Sequence, residues 1–286
     1  MANRPRWKAR LIFAFVGLVP LLALVAILLP ALRSARQAAV ASQHTMDLMQ
    51  IGLAVHNFHD TYHRLPPAVR TDKAGRPLSS WRFQILPFVE AIMMEVHYDD
   101  RWDDPANRWL SSSPFHVYCW SSGKGLPESL HTNVVAITGP GTAFDGDRVI
   151  RPRDLDSDTI LAIGIADSGI HWMEPGDLPI DQVPESITQG VEGYGVHVLF
   201  ADGSVWMLRP DVPLEDLKKF FTIEGAKRYD RDEVLGPGLV HLRGLPRLEE
   251  LSLDHTSLAD ADLQYLAGLD SLLVLLLGGN GGGVSD

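Results

Sequence analysis

Three histidines and one aspartate lie close together in the sequence and have side chains well suited to metal binding. His56, His59, Asp60 and His63 follow at i, i+3, i+4 and i+7, a spacing that places them on one helix face. Imidazole nitrogens and carboxylate oxygens are ligands that Zn²⁺ accepts. The segment ends at residues 64–67, where paired prolines stop a helix and histidines can pack or cap its end. We favour this structural role, with metal binding as the alternative.

Five aspartates near Gly146 form a second group, whose oxygens are of the kind that Ca²⁺ binds. They are Asp145, Asp147, Asp154, Asp156 and Asp158. Their spacing differs from that of the twelve-residue EF-hand loop, which also ends in a glutamate. Aspartates beside glycine commonly belong to solvated turns. The sequence therefore favours surface turns over a calcium site, and we assign no metal ligand.

The motifs of nucleophilic, phosphate-binding and dinucleotide-binding sites are missing from the sequence. It contains no Gly-x-Ser-x-Gly elbow and no Gly-Lys-Ser/Thr phosphate loop. Gly139-Pro140-Gly141 lacks the third glycine and the following helix of a dinucleotide loop, so it indicates a turn. Cys119, the only cysteine, lies between two aromatic residues and is expected to be a small buried side chain.

Six tryptophans offer surfaces on which a sugar could stack, but their scatter along the chain is more typical of core and edge packing. They are Trp81, Trp102, Trp109, Trp120, Trp172 and Trp206. Together with the missing motifs, this pattern predicts that the protein is not an enzyme, with no catalytic residue and no cofactor.

The N-terminus contains a segment long and apolar enough to cross a membrane. Leu11–Leu32 carries no charge, and a helix of its 22 residues spans roughly 30 Å, the thickness of the hydrocarbon core. Residues 1–36 hold six basic side chains and no acidic one, and four of the six precede the span. The positive-inside rule places residues 1–10 in the cytoplasm and the main domain outside. One alternative is a signal peptide cleaved after Ala39-Val40-Ala41, although this apolar stretch exceeds a normal signal core. The other is a buried helix of a soluble protein.

The rest of the chain is acidic. Its 19 basic and 36 acidic residues leave a balance of −17. Such a surface repels phosphate backbones, so nucleic acid is excluded as a partner.

A long helix is predicted to continue from the span into a folded head. Within Arg33–Tyr62, five apolar residues recur at alternating steps of three and four, which makes one apolar helix face. They are Leu48, Ile51, Val55, Phe58 and Tyr62. The outer half of the helix is therefore expected to pack on the head.

The head is predicted to contain several short strands. Apolar runs bounded by Gly, Pro, Asp and Ser occur at Val117–Trp120, Asn133–Ile137, Ile160–Ile165 and Val196–Leu208. The last run is interrupted by Asp202-Gly203, which predicts a hairpin with a two-residue type I′ turn. Both of its arms are nearly all apolar, so the hairpin is expected to be buried on both faces.

Further segments after the span carry a pattern shared with a known family. They are Gln50–Tyr62, Ser80-Trp81-Arg82, Leu86-Pro87-Phe88, Trp102-Asp103, Thr138–Phe144 and Phe200–Val205. With these segments the chain resembles, over about residues 8–225, the pilin-like bacterial proteins of the domain of unknown function 1559 family. The resemblance implies a type IV pilin-like architecture, a long N-terminal helix packed on an antiparallel sheet, and it implies no activity.

The chain departs from this family at two places. Lys8, Ala9 and Phe13 stand where the family usually has the Gly, Phe and Glu of a prepilin peptidase site. Glu192 stands ten residues before Asp202, where the family signature has a histidine, so an imidazole could only be supplied from elsewhere, such as His197. The first departure indicates a permanent anchor, and the second removes chemistry that would need that histidine.

The C-terminal region contains an internal repeat with a constant offset of 24 residues. Leu239, Leu242, Leu245, Leu248, Leu251 and Leu253 recur as Leu263, Leu266, Leu269, Leu272, Leu275 and Leu277. The pattern is similar to leucine-rich repeats, with short parallel strands at residues 251–253 and 275–277. About three such repeats are normally needed to bury their apolar faces. Two repeats must therefore cap onto the head, bind a partner, or belong to a truncated array.

The sequence as a whole predicts an α+β protein with one transmembrane helix. The predicted units are a basic cytoplasmic tail (1–10), the span (11–32), a pilin-like extracytoplasmic domain (33–235), a leucine-rich repeat segment (236–280) and a flexible tail (281–286). We predict a protein of the bacterial cytoplasmic membrane that acts in envelope structure or protein recognition, with protein partners bound through the repeats. A pseudopilin-type component of a secretion machine, or a metal-dependent enzyme or binder using the His or Asp clusters, are the alternatives.

Overall fold

The computed structural model describes most of the head and part of the C-terminal region. The described residues are 39–89, 96–121, 129–146, 148–191, 195–208, 212–236, 248–253 and 271–276, with single positions at 29, 32, 36, 127, 266, 267 and 269. Most of the predicted span, residues 1–10 and 281–286, Asp147, Glu192, and most of the predicted repeats lie outside the described residues. Within the described ranges, no helix has both the length and the apolar character needed to cross a membrane.

After one long helix, the described elements are short helices and short strands, with β3 to β8 following one another and α5 to α7 after them. In chain order they are α1 (residues 39–62), β1 (Val69–Thr71), β2 (Pro77–Ser80), α2 (Trp81–Gln84), α3 (Leu86–Val89), α4 (Arg108–Ser111), β3 (Val134–Val135), β4 (Ile137–Thr138), β5 (Ile160–Gly164), β6 (Leu178–Pro179), β7 (Val196–Phe200), β8 (Val205–Leu208), α5 (Leu214–Lys218), α6 (Ile223–Arg228), α7 (Arg231–Leu235), β9 (Glu250–Ser252) and β10 (Val274–Leu276). Three 3₁₀ turns lie at Pro105–Asn107, Pro152–Asp154 and Glu185–Gln189. This mixture of helices with antiparallel sheets confirms the predicted α+β class.

The long helix α1 is packed along one face into the head. Leu48, Ile51, Val55 and Phe58 of the predicted stripe are buried, whereas Tyr62 at its end is exposed. The helix stops before Pro66-Pro67, as the paired prolines predict. The predicted helix and its buried face are confirmed over residues 39–62.

The main sheet has four antiparallel strands in the order β3-β5-β7-β8. Alternate residues of β7 face two different cores, because side chains alternate across a strand. Leu199 belongs to the core that contains the buried face of α1. Val198 and Phe200 belong to a second core that includes residues of α5, α6 and α7. The sheet therefore lies between α1 on one face and the three short helices on the other. The predicted burial of the hairpin on both faces is confirmed for β7 and is wrong for β8, the last strand in the order, where Met207 is exposed.

The predicted hairpin is present, but its turn is of another type. Gly203 has a positive φ of 84°, whereas a type I′ turn would also require a positive φ at Asp202, which is not among the described positive-φ residues. The Gly203 N–H donates to Phe200 O (3.0 Å), and the Phe200 N–H donates to Ser204 O (3.0 Å). This is the three-residue loop with a left-handed glycine bulge. It is favoured here because the Asp202 carboxylate accepts bonds from Ser204 N–H (2.8 Å) and Oγ–H (2.6 Å).

The predicted strand at Val117–Trp120 is wrong. Tyr118 and Cys119 are buried, but their backbone N–H groups both donate to Phe115 O, at 2.9 and 2.8 Å, so this segment is a buried turn. Apolarity indicated burial correctly there, and the local hydrogen bonds determined the backbone shape. The predicted strand at Asn133–Ile137 is replaced by two short strands, β3 and β4, which join different sheets.

One buried ion pair ties α2 to the segment before β6. Arg82 Nη1 lies 2.7 Å from Asp177 Oδ1, and the two side chains are 0% and 1% exposed. The Arg82 guanidinium also donates to the carbonyls of Trp172 (3.0 Å) and Gly176 (2.8 Å). Asp177 Oδ1 accepts in addition from the Ala136 N–H (2.8 Å). Several chain segments thus meet at one charge pair in the interior.

The C-terminal strands β9 and β10 pair in parallel. Glu250, Leu251 and Ser252 face Val274, Leu275 and Leu276, an offset of 24 residues at each pair. This register equals the offset of the sequence repeat.

Candidate functional site

A cleft opens where the C-terminal part of α1 meets the loop before β5 and the turn between β7 and β8. Its volume is about 260 Å³. The residues that line it are Val55, His56, His59, Leu65, Leu155, Asp156, Ser157, Leu161, Ala201 and Asp202. Members of the predicted histidine and aspartate groups therefore come together here, although they lie about a hundred residues apart in the sequence.

Helix α1 supplies the two histidines of the cleft. His56 Nε2 is buried and has no hydrogen-bond partner among the described residues. Gly203 of the turn lies against this nitrogen, because a Cβ atom added at Gly203 would sit 3.4 Å from it. His59 is one turn further along the helix, and its Nδ1 lies 3.2 Å from Asp60 Oδ1. The histidines are thus directed to different neighbours, one to the turn and one to an exposed carboxylate.

The turn residue Asp202 is held in place by Arg231 of α7. Arg231 Nη2 donates to Asp202 Oδ2 (2.9 Å), and its guanidinium carbon lies 4.5 and 4.7 Å from the ring centres of Phe200 and Trp206. Burial acts to raise the pKa of Asp202, but the hydrogen bonds from Arg231 and Ser204 outweigh it and lower that pKa. Asp202 therefore carries a charge that Arg231 already neutralises.

The loop before β5 supplies Asp156 and Ser157. Asp156 Oδ1 accepts from the Asp158 N–H (3.1 Å), which closes a local turn. The Asp202 N–H donates to Ser157 O (3.1 Å), which joins this loop to the hairpin turn. Within the described ranges Asp156 has no cationic partner, whereas Asp158 lies 3.5 Å from Arg231. Asp156 is thus the unpaired carboxylate of the cleft.

The structure separates the remaining members of both predicted groups. Asp60 and His63 are exposed and do not line the cleft. The Asp145 carboxylate accepts from the Gly141 N–H (3.0 Å), and the Asp154 carboxylate accepts from the Arg151 N–H (3.3 Å). Each of these aspartates therefore stabilises a local turn of the backbone. Across the described part of the chain, no three His, Cys, Asp or Glu side chains are grouped as metal ligands.

The cysteine, the glycine turn and two of the tryptophans considered in the sequence lie in the protein interior or in a turn. Cys119 is buried, and burial raises the pKa of its thiol to about 11, which keeps it protonated. The Gly139–Gly141 segment forms a turn in which Thr142 N–H donates to Gly139 O (3.2 Å). Trp81 and Trp172 are fully buried, as packing predicts.

A buried aromatic cluster near the start of α1 was not anticipated. His44 stacks on Trp120 at 4.2 Å between ring centres, and His197 lies edge-on to His44 at 5.7 Å. His197 Nε2 lies 3.2 Å from Ala41 O of α1. Residues 41, 44 and 48 continue the three-and-four spacing of the apolar stripe, and this spacing could have marked His44 as a buried residue.

Burial also shifts the acid–base properties of this cluster. Burial, and then the nearby His197, lower the pKa of His44 to about 4. Burial raises the pKa of Asp47 on the same helix to about 6, against the lowering effect of a hydrogen bond from Gln43. Burial likewise lowers the pKa of His197.

The family comparison agrees with the resemblance seen in the sequence. The family described as "Protein of unknown function (DUF1559)" matches residues 33–121, which include α1 and the part of the head up to Ser121. No curated protein and no solved structure matches the chain.

Proposed function

We propose that the protein is a non-catalytic, membrane-anchored protein of the bacterial envelope. Its head faces the outside and recognises a protein partner through the C-terminal repeats. Residues 33–121 match the family described as "Protein of unknown function (DUF1559)". The observation that carries the proposal is the role of α1, which is described from residue 39, shortly after the apolar segment, and forms part of the head core.

This arrangement would couple the anchor rigidly to the head. Leu48, Ile51 and Val55 of α1 are buried against the sheet, and residues 29, 32 and 36 are also helical. A helix that is packed in this way cannot rotate freely relative to the head, because its apolar face would become exposed to water. The head would therefore be presented at a defined distance and orientation from the membrane.

Charged residues placed within the apolar segment are expected to abolish anchoring. Val16→Arg combined with Leu22→Arg places two charges near the centre of the segment, where each costs about 3 kcal/mol on insertion scales. The double variant is expected to lose stable membrane association, whereas wild-type protein resists alkaline carbonate extraction. Protease added to spheroplasts is expected to digest the wild-type head.

The matched control is Val16→Leu with Leu22→Ile, which keeps the segment apolar. Extraction of the wild-type protein by alkaline carbonate, or protection of its head from external protease, would contradict the proposal.

Mass spectrometry of the detergent-extracted protein tests the pseudopilin alternative, because a permanent anchor retains its full N-terminus. Met46, Met49 and Leu53 form an exposed apolar stripe on α1 that such an assembly would use.

Recognition through the repeats is supported by exposed apolar residues in and just before the last described strand, β10. Leu273, which precedes β10, is 80% exposed, and Leu275 and Leu276 of β10 are also exposed. Exposed apolar side chains grouped in this way are typical of a surface that a partner covers.

Acidic residues in and just before β10 are expected to reduce partner capture. Leu273→Glu combined with Leu276→Glu should lower the recovery of envelope partners on the tagged full-length protein by about tenfold, because apolar contacts are replaced by charge. Quantitative mass spectrometry of the captured proteins measures the loss. Val149→Glu, an equal change at an exposed apolar site outside the repeats, is the control. An unchanged partner list in the double variant would remove the recognition role of this strand.

A further inference from the structure

The cleft between α1 and the β7–β8 turn has the properties of a binding site, and we propose that it takes a small organic amine. The ligand would have an apolar body and a protonated amino group. The inference concerns the head alone, so it does not depend on the proposed anchoring or on the repeats. The volume of about 260 Å³ equals that of roughly nine water molecules, which suits a ligand of roughly ten non-hydrogen atoms.

The walls of the cleft are mainly apolar. Val55 of α1, Leu65 after it and Leu161 of β5 line the cleft and are themselves mostly buried. Such walls gain free energy by covering an apolar ligand body, in proportion to the area removed from water.

The charge of the cleft favours a cation. Asp156 and Asp202 line it, and Asp158 lies beside them, whereas Arg231 is the neighbouring cation. Arg231 is fully engaged, since it donates to Asp202 and to Ser204 Oγ (2.9 Å) and lies over two aromatic rings. Asp156 remains without a cationic partner among the described residues. A ligand ammonium group would supply that partner, and a carboxylate ligand would be repelled.

The buried nitrogen of His56 gives a second polar contact. Buried polar atoms in folded proteins are nearly always hydrogen-bonded, and His56 Nε2 has no partner in the described structure. An ammonium group carries three donors and no acceptor, so it can donate to a carboxylate and to an imidazole nitrogen together. His56 and Asp156 both line the cleft, so we place the ligand amino group between these two side chains.

The test uses phenethylamine and the full-length protein in zwitterionic detergent. Isothermal titration calorimetry is expected to show saturable one-to-one binding, and saturation-transfer NMR should show that the phenyl ring contacts the protein. Asp156→Asn should weaken binding by about tenfold, because it removes the charge partner. Asparagine keeps a side-chain oxygen for the Asp158 N–H, so the local turn is preserved.

Two comparisons make the result decisive. Asp154→Asn, an equal change in the same loop region but outside the cleft, is expected to bind like wild-type protein. Phenethyl alcohol and phenylpropionate, which carry the same ring with a neutral or a negative end, are expected to bind at least tenfold more weakly. Absence of saturable binding by wild-type protein would overturn the proposal. Equal binding of the anionic analogue, or an affinity that Asp156→Asn leaves unchanged, would do the same.

Discussion

Replacing Arg82 with methionine is expected to lower the free energy of unfolding by about 3–5 kcal/mol, because it leaves Asp177 as an uncompensated buried carboxylate. Both side chains lie in the interior, and they are joined at 2.7 Å. Water cannot replace the lost guanidinium unless the surrounding core opens. Urea unfolding of the full-length protein in detergent measures the change.

The loss would extend beyond the ion pair itself. Arg82 also donates to the carbonyls of Trp172 and Gly176. The Gly176 carbonyl would lose this donor, whereas the Trp172 carbonyl would keep only the Ser80 hydroxyl (3.2 Å). Each buried polar group left unsatisfied costs about 1–3 kcal/mol. Methionine retains the length and apolar character of the arginine stem, so the variant removes the charge and the donors with little change in volume.

A second variant separates the buried charge from the lost packing. In Arg82→Met with Asp177→Asn, no charge remains, and the asparagine oxygen can still accept from the Ala136 N–H. This double variant is expected to be more stable than Arg82→Met alone. Arg101→Met, which breaks an exposed pair with Asp103, should leave the unfolding midpoint unchanged. A double variant that is less stable than Arg82→Met would show that packing, and not the unpaired charge, causes the loss.

Acidification is expected to destabilise the head through His44. The pKa of His44 is lowered to about 4 in the folded protein, and its ordinary value is 6.5. Between these two pH values His44 binds a proton in the unfolded chain but not in the folded protein. The contribution of His44 to stability is therefore full above about pH 6.5 and is lost as the pH falls towards 4. The full shift corresponds to about 3 kcal/mol. His197, whose pKa is also lowered, acts in the same direction.

Asp47 acts in the opposite direction. Its pKa is raised to about 6 from 3.8, so the folded protein holds a proton that the unfolded chain has released. Its contribution is therefore full below about pH 3.8 and is lost as the pH rises through 6. Asp47 partly offsets the two histidines between about pH 4 and 6, and the histidines dominate above that range.

Two variants test these opposite signs by urea unfolding between about pH 7 and about pH 5. His44→Phe keeps a ring against Trp120 without a titrating group, so it should flatten the loss of stability on acidification. Asp47→Asn removes the opposing group and should steepen that loss. His63→Asn at an exposed position is the control, because asparagine tolerates the positive φ of 55° there. An equal slope in wild-type protein and in both variants would contradict the assignment.

The chain order of polar and apolar residues predicted much of the head. The spacing of Leu48, Ile51, Val55 and Phe58 identified α1 and its buried face, because helical periodicity is a local property. The runs at Ile160–Ile165 and Val196–Leu208 identified three strands of the main sheet, and Asp202-Gly203 marked the turn between two of them. The predicted type I′ turn was wrong, because Asp-Gly suits both this two-residue turn and the three-residue loop with a glycine bulge. The hydrogen bonds from Ser204 to the Asp202 carboxylate select the three-residue loop.

The contacts between distant segments could not be derived in this way. Arg82 meets Asp177 across 95 residues, and His44 stacks on Trp120 across 76, so no local pattern relates them. In the sequence the histidine group and the aspartate group are two separate candidate sites. Only the packing of α1 against the sheet brings His56 and His59 to the same cleft as Asp156 and Asp202. Periodicity determines which face of an element is buried, whereas the tertiary structure decides what that face meets, because packing depends on complementary shapes contributed by remote parts of the chain.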